Sequence, residues 1–356
     1  MKKKSVFQYE IIGVPESTRE IAKKISEELN RGLTFIVSQV GEKVVGVSGE
    51  SSGWARTVIR DDNIYVYVDD DFFLRHCIFE QVLTSLWANL LDFGQMRLRG
   101  FRLSDNIHNL LTSQDFSKLS VNELVRADGP YFGTVFKPSF GLSLYKKTDM
   151  ARKFASLGGV FIKEDETYFT NRRKMLKESK AVQRAMNAIS DSCFYVPNAT
   201  PHLRDVEVLR ELSENGIRVV MVNYLIAGLP SVYKAIRENN DLLFWGHRVG
   251  YRAIEKSISM KAVATLAAYT GMNMIHIGTP FFSVKNSIRK SLSIFQAVKE
   301  INAKAVPVFT KTSQEILSDL IRLFSRNIII MACGSLRTNG YLDWDKVRRW
   351  VKTIKN

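Results

Sequence analysis

The sequence predicts a two-domain α/β protein, in which a (β/α)₈ barrel follows an α+β domain of ferredoxin-like topology. From residue 131 onward, apolar runs of four to eight residues alternate with amphipathic helical segments, a pattern typical of parallel strands joined by crossover helices. Eight such runs over about 225 residues fit the size of a (β/α)₈ barrel. Residues 1–128 are therefore assigned to the first domain and residues 129–356 to the barrel.

The first domain is predicted to contain two helices among four or five strands. The helices are expected at 17–30, which opens with a serine cap, and at 72–91. The strand candidates are 6–12, 33–40, 43–47, 58–68 and 96–103. Helices interleaved with strands in this way favour a ferredoxin-like sheet. The polar segment 104–129 is interpreted as a connector.

The barrel strands are predicted from eight apolar runs. These are FGTVFK (132–137), VFIKED (160–165), CFYVPNAT (193–200), RVVMVNYL (218–225), LLFWGHR (242–248), MIHIGT (274–279), AVPVFT (305–310) and NIIIMACG (327–334). Helical segments separate several of them, and a final helix is expected over 343–354.

The composition indicates which kinds of partner and which cellular compartment to expect. No apolar run approaches the roughly 18 to 20 residues of a membrane helix, and the basic start MKKKSVFQYEIIGVPES lacks the apolar core of a secretory signal. The three cysteines are far apart, which fits a reducing compartment, so we expect a cytoplasmic protein. The net charge of +15 is spread along the chain without a nucleic-acid reader motif. A small anionic substrate fits this charge better than nucleic acid or a membrane.

Polar side chains follow the predicted strands at the rim where barrel enzymes keep their chemistry. Lys137 ends the first run, and Lys163, Glu164, Asp165 and Glu166 end the second. A lysine among carboxylates at a strand end is costly unless a cation or a modification balances it. Carboxylate oxygens suit a hard cation such as Mg²⁺, whereas no Cys/His spacing supports zinc. The second strand end therefore predicts a metal site.

Further polar residues lie at the other strand ends. They are Asn198, Asn223, His247, Arg248, His276, Thr310, Lys311, Thr312, Gly334 and Ser335. Each of them alone has an ordinary explanation as a solvated or structural side chain, and a short acidic run is more often a charged surface than a metal site. Their coincidence on one rim favours a functional site.

Two stretches of this rim resemble the large subunit of RuBisCO and the related RuBisCO-like proteins. KPSFGLS (137–143) is similar to the family's KPKxGLS, and GGVFIKEDE (158–166) is similar to GGxDxxKDDE with one residue fewer before the lysine. The resemblance implies that Lys137 is the catalytic lysine and that CO₂ carbamylates Lys163. It also implies that Asp165 and Glu166 bind Mg²⁺ together with that carbamate.

The resemblance extends from Glu50 to Ser335. FWGHRVG (244–250) is similar to the HxHR stretch, which implies an acid/base role for His247 and phosphate binding by Arg248. MIHIGT is similar to HxHxGT and implies a second phosphate-side ligand in His276. GESSGWA resembles ESSTGTW in the first domain, so Glu50, together with Asn89, is expected to reach the site of a partner subunit. The resemblance therefore implies a homodimer or a dimer-based oligomer.

Several positions depart from the family pattern. The second lysine of KPKxGLS is Ser139, and Lys285 lies two positions late in the loop after strand six. The SGG phosphate cradle is replaced by Thr310-Lys311-Thr312, and the triple glycine after strand eight by Ala332-Cys333-Gly334. Backbone N–H groups approach a phosphate closely at glycines, so added side chains reshape that pocket. One phosphate site, with Arg248 and His276, is thus retained, and the opposite one, at Gly334 and Ser335, is rebuilt.

These residues lead to three hypotheses. The first is a RuBisCO-like enzyme that uses Mg²⁺ and the Lys163 carbamate to enolise or isomerise a phosphorylated or acidic sugar derivative. The base is the carbamate or Lys137, and His247 shuttles the proton. The alternative is a divergent ribulose-1,5-bisphosphate carboxylase that fixes CO₂. The third hypothesis is a non-catalytic binding protein on the same scaffold.

Overall fold

The computed structural model describes residues 4–12, 18–29, 35–40, 43–48, 55–60, 63–73, 78–87, 96–113, 119–280 and 285–355. The chain divides into two compact units, one formed by residues 1–114 with 251–265 and the other by residues 115–250 with 266–356. The predicted boundary at residue 128 stays a prediction. No helix in the described part of the chain is long and apolar enough to cross a membrane.

The first unit contains a six-stranded antiparallel sheet. Its strands are β1 (Lys4–Ile11), β2 (Phe35–Val40), β3 (Lys43–Ser48), β4 (Ala55–Arg60), β5 (Asn63–Asp69) and β6 (Met96–Arg102), in the order β2-β3-β4-β5-β1-β6. Helix α1 (Thr18–Leu29) follows β1, and α2 (Ile78–Trp87) follows β5. The part β1-α1-β4-β5-α2-β6 has ferredoxin-like order, as predicted, and β2 with β3 widens the sheet.

Strand alternation explains how this sheet acquires its core. Ile64, Val66 and Val68 on β5 are buried, with less buried residues between them. The predicted strand 58–68 is two strands, because β4 and β5 pair antiparallel on either side of the Asp61-Asp62 sequence. Residues 257–259 belong to this unit because the backbone of Leu98 hydrogen-bonds to Ser257 and Ser259, at 2.8 Å each.

The predicted connector contains two helices. Helix α3 (Asp105–Thr112) begins after Ser104, whose side chain accepts a hydrogen bond from the N–H of Ile107. Helix α4 (Val121–Val125) begins with a capping box, in which Ser120 and Glu123 each bind the other's backbone N–H. The Ser-x-x-Glu signature was present in the sequence, so this part of the connector was recognisable as a helix start.

The second unit contains the predicted parallel barrel. Its strands are β7 (Tyr131–Val135), β8 (Phe161–Lys163), β9 (Phe194–Val196), β10 (Val219–Asn223), β11 (Leu243–His247), β12 (Met274–His276), β13 (Val306–Thr310) and β14 (Ile329–Met331). Neighbours along the chain pair in parallel, and β14 pairs with β7. Between β9 and β10, an isolated parallel bridge joins Asn198, just after β9, to Met221 in the middle of β10. The predicted fold class is confirmed.

Helices separate these strands and follow the last one. They are α5 (Leu144–Ser156), α6 (Arg172–Asn187), α7 (Val206–Glu214), α8 (Tyr224–Ala227), α9 (Leu229–Glu238), α10 (Tyr251–Ile254), α11 (Met260–Tyr269), α12 (Lys285–Ile301), α13 (Leu317–Phe324) and α14 (Trp344–Lys355). A short hairpin of β15 (Arg337–Thr338) and β16 (Tyr341–Leu342) precedes α14.

The barrel interior is filled by apolar side chains from its strands. Phe161, Phe194, Trp245, Met274 and Met331 belong to one buried cluster, and the rings of Phe161 and Trp245 meet edge to face at 5.5 Å. The interior below the rim is therefore a packed core.

The seam between the last and first strands has polar connections besides the strand ladder. The Thr134 hydroxyl donates to the carbonyl oxygen of Ala332 at 2.8 Å, and Arg337 Nη2 donates to that of Val135 at 2.7 Å. These bonds join β7 to the segment after β14, about 200 residues later.

Candidate active site

The end of β8 carries the acidic cluster that the sequence singled out. Asp165 is almost fully buried and forms an ion pair with the ammonium group of Lys137, which follows β7. The backbone N–H of Thr167 donates to Asp165 Oδ1 at 3.1 Å. Burial favours the neutral acid, but the hydrogen bonds from Lys137 and Thr167 outweigh it and hold the pKa of Asp165 below its ordinary value. Asp165 is therefore a carboxylate.

Glu166 lies between two basic groups. Its Oε2 is 3.7 Å from Lys163 Nζ and 3.8 Å from His247 Nε2, and its side chain is 32% exposed. The side-chain amides of Asn198 and Asn223 donate to its backbone carbonyl at 3.2 and 2.9 Å. The two asparagines thus orient the backbone of the acidic segment, a role that the sequence did not reveal.

Lys163 is buried at the end of β8 with few partners. Its Nζ donates to the carbonyl oxygen of Glu164 at 3.0 Å. Burial lowers the pKa of the amine, although the carboxylates of Glu166 and Asp165 oppose that shift. A lowered pKa increases the fraction of neutral amine, which is the nucleophilic form.

Two histidines lie beside this cluster. The rings of His247 and His276 meet edge to face with centroids 4.6 Å apart. Trp245 Nε1 donates to His276 Nε2 at 2.7 Å, so this nitrogen carries no proton. Burial lowers the pKa of His247 to about 3 and that of His276 well below its ordinary value. Both rings are therefore neutral at pH 7.

The substitution His276→Gln tests this description through the pH dependence of stability. An unfolded histidine binds a proton below about pH 6.5, whereas buried His276 does not, so its contribution to stability is lost as the pH falls below that value. Between pH 7 and pH 5 the unmodified protein is expected to lose about 2 kcal/mol more free energy of unfolding than His276→Gln. Urea unfolding at both pH values measures this, and equal losses would contradict it. The glutamine oxygen can still accept the Trp245 hydrogen bond.

Arg248 and Gly278 are in close contact beside the histidines. A Cβ atom on Gly278 would lie 3.2 Å from Nη2 of Arg248, and Gly278 has a φ of +87°. Because glycine has no side chain, the guanidinium of Arg248 can lie against the backbone at this position. The structure brings this predicted phosphate ligand to the same rim as His276.

The ends of β13 and β14 are tied to each other. The Thr312 hydroxyl donates to the carbonyl oxygen of Met331 and the Ser335 hydroxyl to that of Thr312, at 3.2 Å each. Lys311, which precedes Thr312, is exposed and adopts a φ of +57°, which is uncommon for a residue with a side chain. No side chain would be obstructed at Gly334. This part of the rim is held by hydroxyl-to-carbonyl bonds at the positions predicted to be rebuilt.

Several residues around the site were not predicted from the sequence. Arg337 donates to the carbonyl oxygen of Cys333 at 2.7 Å and so braces the segment after β14. Lys147 is a buried lysine on α5, bonded to Glu164 and Glu178. The signal for Lys147 was its helical spacing from Ala151 and Phe154, which places a lysine on the apolar face of an amphipathic helix.

Predicted roles of three further residues are not tested by the structure. Glu50 and Asn89 lie outside the described residues. Lys285 is the first residue of α12, and the four residues before it, 281–284, also lie outside the described part. Their predicted roles stay predictions.

Comparisons with known proteins identify the family. The family described as ribulose bisphosphate carboxylase large chain, catalytic domain, matches residues 118–306, which is more than half of the chain. A ribulose bisphosphate carboxylase of Archaeoglobus fulgidus is 29% identical over 216 residues, covering 56% of this chain and 48% of that protein. The chain thus spans about half the length of that relative.

Solved structures show the same fold. The dimeric archaeal Rubisco of Hyperthermus butylicus superposes with a TM-score of 0.80 at 20% sequence identity. The superposition includes 100% of this chain and 90% of the Hyperthermus butylicus chain. A rubisco-like protein of Burkholderia fungorum gives a TM-score of 0.79 at 17% identity, covering 99% and 94%. The relatives therefore include a carboxylase and a rubisco-like protein, and this chain belongs to the ribulose bisphosphate carboxylase large-chain family.

Proposed function

We propose that this protein catalyses the Mg²⁺-dependent enolisation or isomerisation of a phosphorylated or acidic sugar derivative. The observation that carries the proposal is the cluster at the end of β8. There the Lys163 amine, whose pKa is lowered, lies beside two carboxyl groups, those of Asp165 and Glu166. Such perturbed groups concentrate at functional sites.

The donor groups fit a magnesium ion if Lys163 is carbamylated. Among the described residues, no three His, Cys, Asp or Glu side chains are arranged to hold a metal, so Asp165 and Glu166 lack a third protein ligand. A neutral Lys163 amine can add to CO₂ and lose a proton, and the resulting carbamate supplies anionic oxygen on the same strand end. When bound, Mg²⁺ would polarise a substrate carbonyl and stabilise the enediolate.

The remaining groups can hold and move protons. Lys137 is 37% exposed, and its ammonium donates to Ser139 Oγ at 2.9 Å besides its pair with Asp165. His247 is neutral, and its Nδ1 is buried without a hydrogen-bond partner in the described structure. In this proposal the Lys163 carbamate would remove the substrate proton, or Lys137 would remove it after giving up its own ammonium proton, and His247 would shuttle the proton.

The rest of the rim suits a substrate with one phosphate. Arg248 offers a cation on one side of the site, against Gly278. On the other side, the hydroxyls of Thr312 and Ser335 already donate to backbone carbonyls. We propose that the phosphate binds on the Arg248 side and that the opposite side, where Lys311 is exposed, receives a part of the substrate without a phosphate.

The test of this function is deuterium exchange. With Mg²⁺ and bicarbonate present, the purified protein is expected to exchange deuterium from heavy water into the carbon acid of a ketose phosphate, detected by NMR across a panel of such sugars. Removing Mg²⁺ with EDTA is the control and should stop the exchange. Absence of exchange across the whole panel would reject the proposal.

A divergent carboxylase is the second candidate, because the Archaeoglobus fulgidus relative is named ribulose bisphosphate carboxylase. Ser139 and the rebuilt β13 and β14 ends argue against it. Labelled CO₂ with ribulose bisphosphate separates the two functions, because incorporation into an acid-stable product would favour the carboxylase.

We also propose a homodimer, since the Hyperthermus butylicus protein is dimeric and the resemblance gives Glu50 and Asn89 roles across an interface. Light scattering during gel filtration would give the mass of the assembly, and a monomer at assay concentration would reject this proposal.

A further inference from the structure

A buried lysine lies behind the acidic cluster, on the helix side of the barrel wall. The Lys147 side chain is 2% exposed, and its Nζ donates to Glu164 Oε1 at 2.7 Å and to Glu178 Oε2 at 2.9 Å. The ammonium also lies 3.9 Å from the ring centre of Tyr168. Although burial disfavours its charge, the two carboxylates raise the pKa of Lys147 above its ordinary value.

Glu164 occupies a special position in this arrangement, because it lies between Lys163 and Asp165 in the sequence. Successive side chains of a strand point to opposite faces. Lys163 and Asp165 face the rim, whereas Glu164 contacts Lys147 on α5 and receives a hydrogen bond from the Tyr195 hydroxyl at 2.7 Å. Glu164 directly follows β8, and its backbone N–H still donates to a carbonyl oxygen of β9 at 2.9 Å, so the alternation continues past the end of the strand. The outward anchor and the inward functional groups are thus alternate residues.

The charges behind the strand alternate in sign and end at the surface. Glu178 binds Lys147 on one side. On its other side, Glu178 Oε1 lies 3.9 Å from Nζ of Lys174, whose side chain is 55% exposed. Tyr168 also donates to Glu178, at 3.0 Å. Glu178 therefore has other partners, whereas Lys147 is the cation paired with Glu164 in the described structure.

Loss of this cation would leave a buried carboxylate that must either neutralise or reach water. One oxygen of Glu164, Oε2, is already buried without a hydrogen-bond partner. A rotation of the strand end that exposes Glu164 would move its two neighbours, because a strand that turns one residue outward turns the next inward.

We propose that Lys147 is a positioning residue, which holds Glu164 on the outer side of β8 and thereby directs Lys163 and Asp165 towards the rim. The role of these two residues in catalysis rests on the proposed function, but their placement by Lys147 does not. Lys147 also connects this strand end to α5, the helix that follows the Lys137 segment.

The experiment uses cyanate, whose neutral acid has the shape of CO₂ and adds to neutral amines. The full-length protein is treated without Mg²⁺ or substrate, and peptide mass spectrometry gives the rate at Lys163 relative to that at exposed Lys146. Lys147→Met is expected to lower this ratio by about tenfold, because a strand end that turns Glu164 towards the rim takes Lys163 away from the rim and towards the packed helix side. Lys174→Met is the matched control and should leave the ratio unchanged.

A rescue variant distinguishes positioning from general loss of structure. Lys147→Met/Glu164→Gln has no unpaired carboxylate at position 164, so the ratio should return to within about twofold of the original, even if the melting temperature stays low. Should Lys147→Met not fold, Lys147→Gln replaces it, with an expected change of about threefold or more in the ratio. An unchanged ratio in the folded single variant, or no rescue in the double variant, would overturn the proposal.

The deuterium exchange assay keeps this proposal separate from the proposed function. A changed cyanate ratio in a protein that shows no exchange would reject the function and retain the positioning role. Equal ratios and equal exchange in Lys147→Met and the unmodified protein would reject the positioning role and retain the function.

Discussion

Lys163→Ala is expected to lower the rate of Mg²⁺-dependent deuterium exchange by about 10³-fold or more, the size of effect seen when a catalytic acid or base is removed. The substitution deletes the amine that would carry the carbamate and leaves Asp165 and Glu166 without a third anionic ligand. The initial rate of exchange, measured by NMR at saturating Mg²⁺ and bicarbonate, tests it.

A second lysine on the same unit provides the control for this prediction. Lys146 is exposed at the start of α5, and Lys146→Ala should keep the full exchange rate. Circular dichroism should show both variants folded. If Lys163→Ala retained more than about a tenth of the rate, the amine would have no essential part in the reaction.

Trp245→Ala is expected to lower the free energy of unfolding by about 3 to 5 kcal/mol, the usual cost of deleting a large aromatic side chain from a core. Trp245 is fully buried, packs against Phe161 and donates to His276. Its removal leaves a cavity in the barrel interior and an acceptor nitrogen without its donor. Urea unfolding at pH 7 gives the value.

Trp245→Phe separates the two parts of that loss. The phenyl ring keeps most of the packing but has no N–H, so the expected cost is about 1 to 3 kcal/mol, from the buried His276 nitrogen. A loss below about 1 kcal/mol in Trp245→Ala would show that the interior collapses around the missing ring.

The sequence was sufficient for the order of the strands because period and spacing are local properties. Each of the eight predicted runs overlaps one barrel strand, but the strands are shorter: the run 160–165 contains β8 with three residues. Where a strand ends depends on which backbone groups still bond to the neighbouring strands. Such contacts between distant parts of the chain cannot be read from local sequence. For the same reason, β4 and β5 were predicted as a single strand.

The candidate site, too, could be predicted from the sequence only in part. The rim residues were predictable as a group because the carboxyl ends of parallel strands meet at one edge. Which groups pair could not be predicted: Lys137 binds Asp165, and Asn198 and Asn223 bind the Glu166 backbone. These contacts depend on side-chain direction and loop shape. The Trp245 to His276 bond likewise needs two strands brought together.

The seam between β14 and β7 has a consequence for synthesis of the chain on the ribosome. β7 begins at Tyr131, and β14, its neighbour at the seam, begins at Ile329, so nearly the whole barrel sequence is made before β7 acquires this neighbour. During that interval the edge of β7 is an unpaired strand, open to pairing with other chains. We therefore expect that a nascent chain lacking β14 needs a chaperone more than the finished protein does.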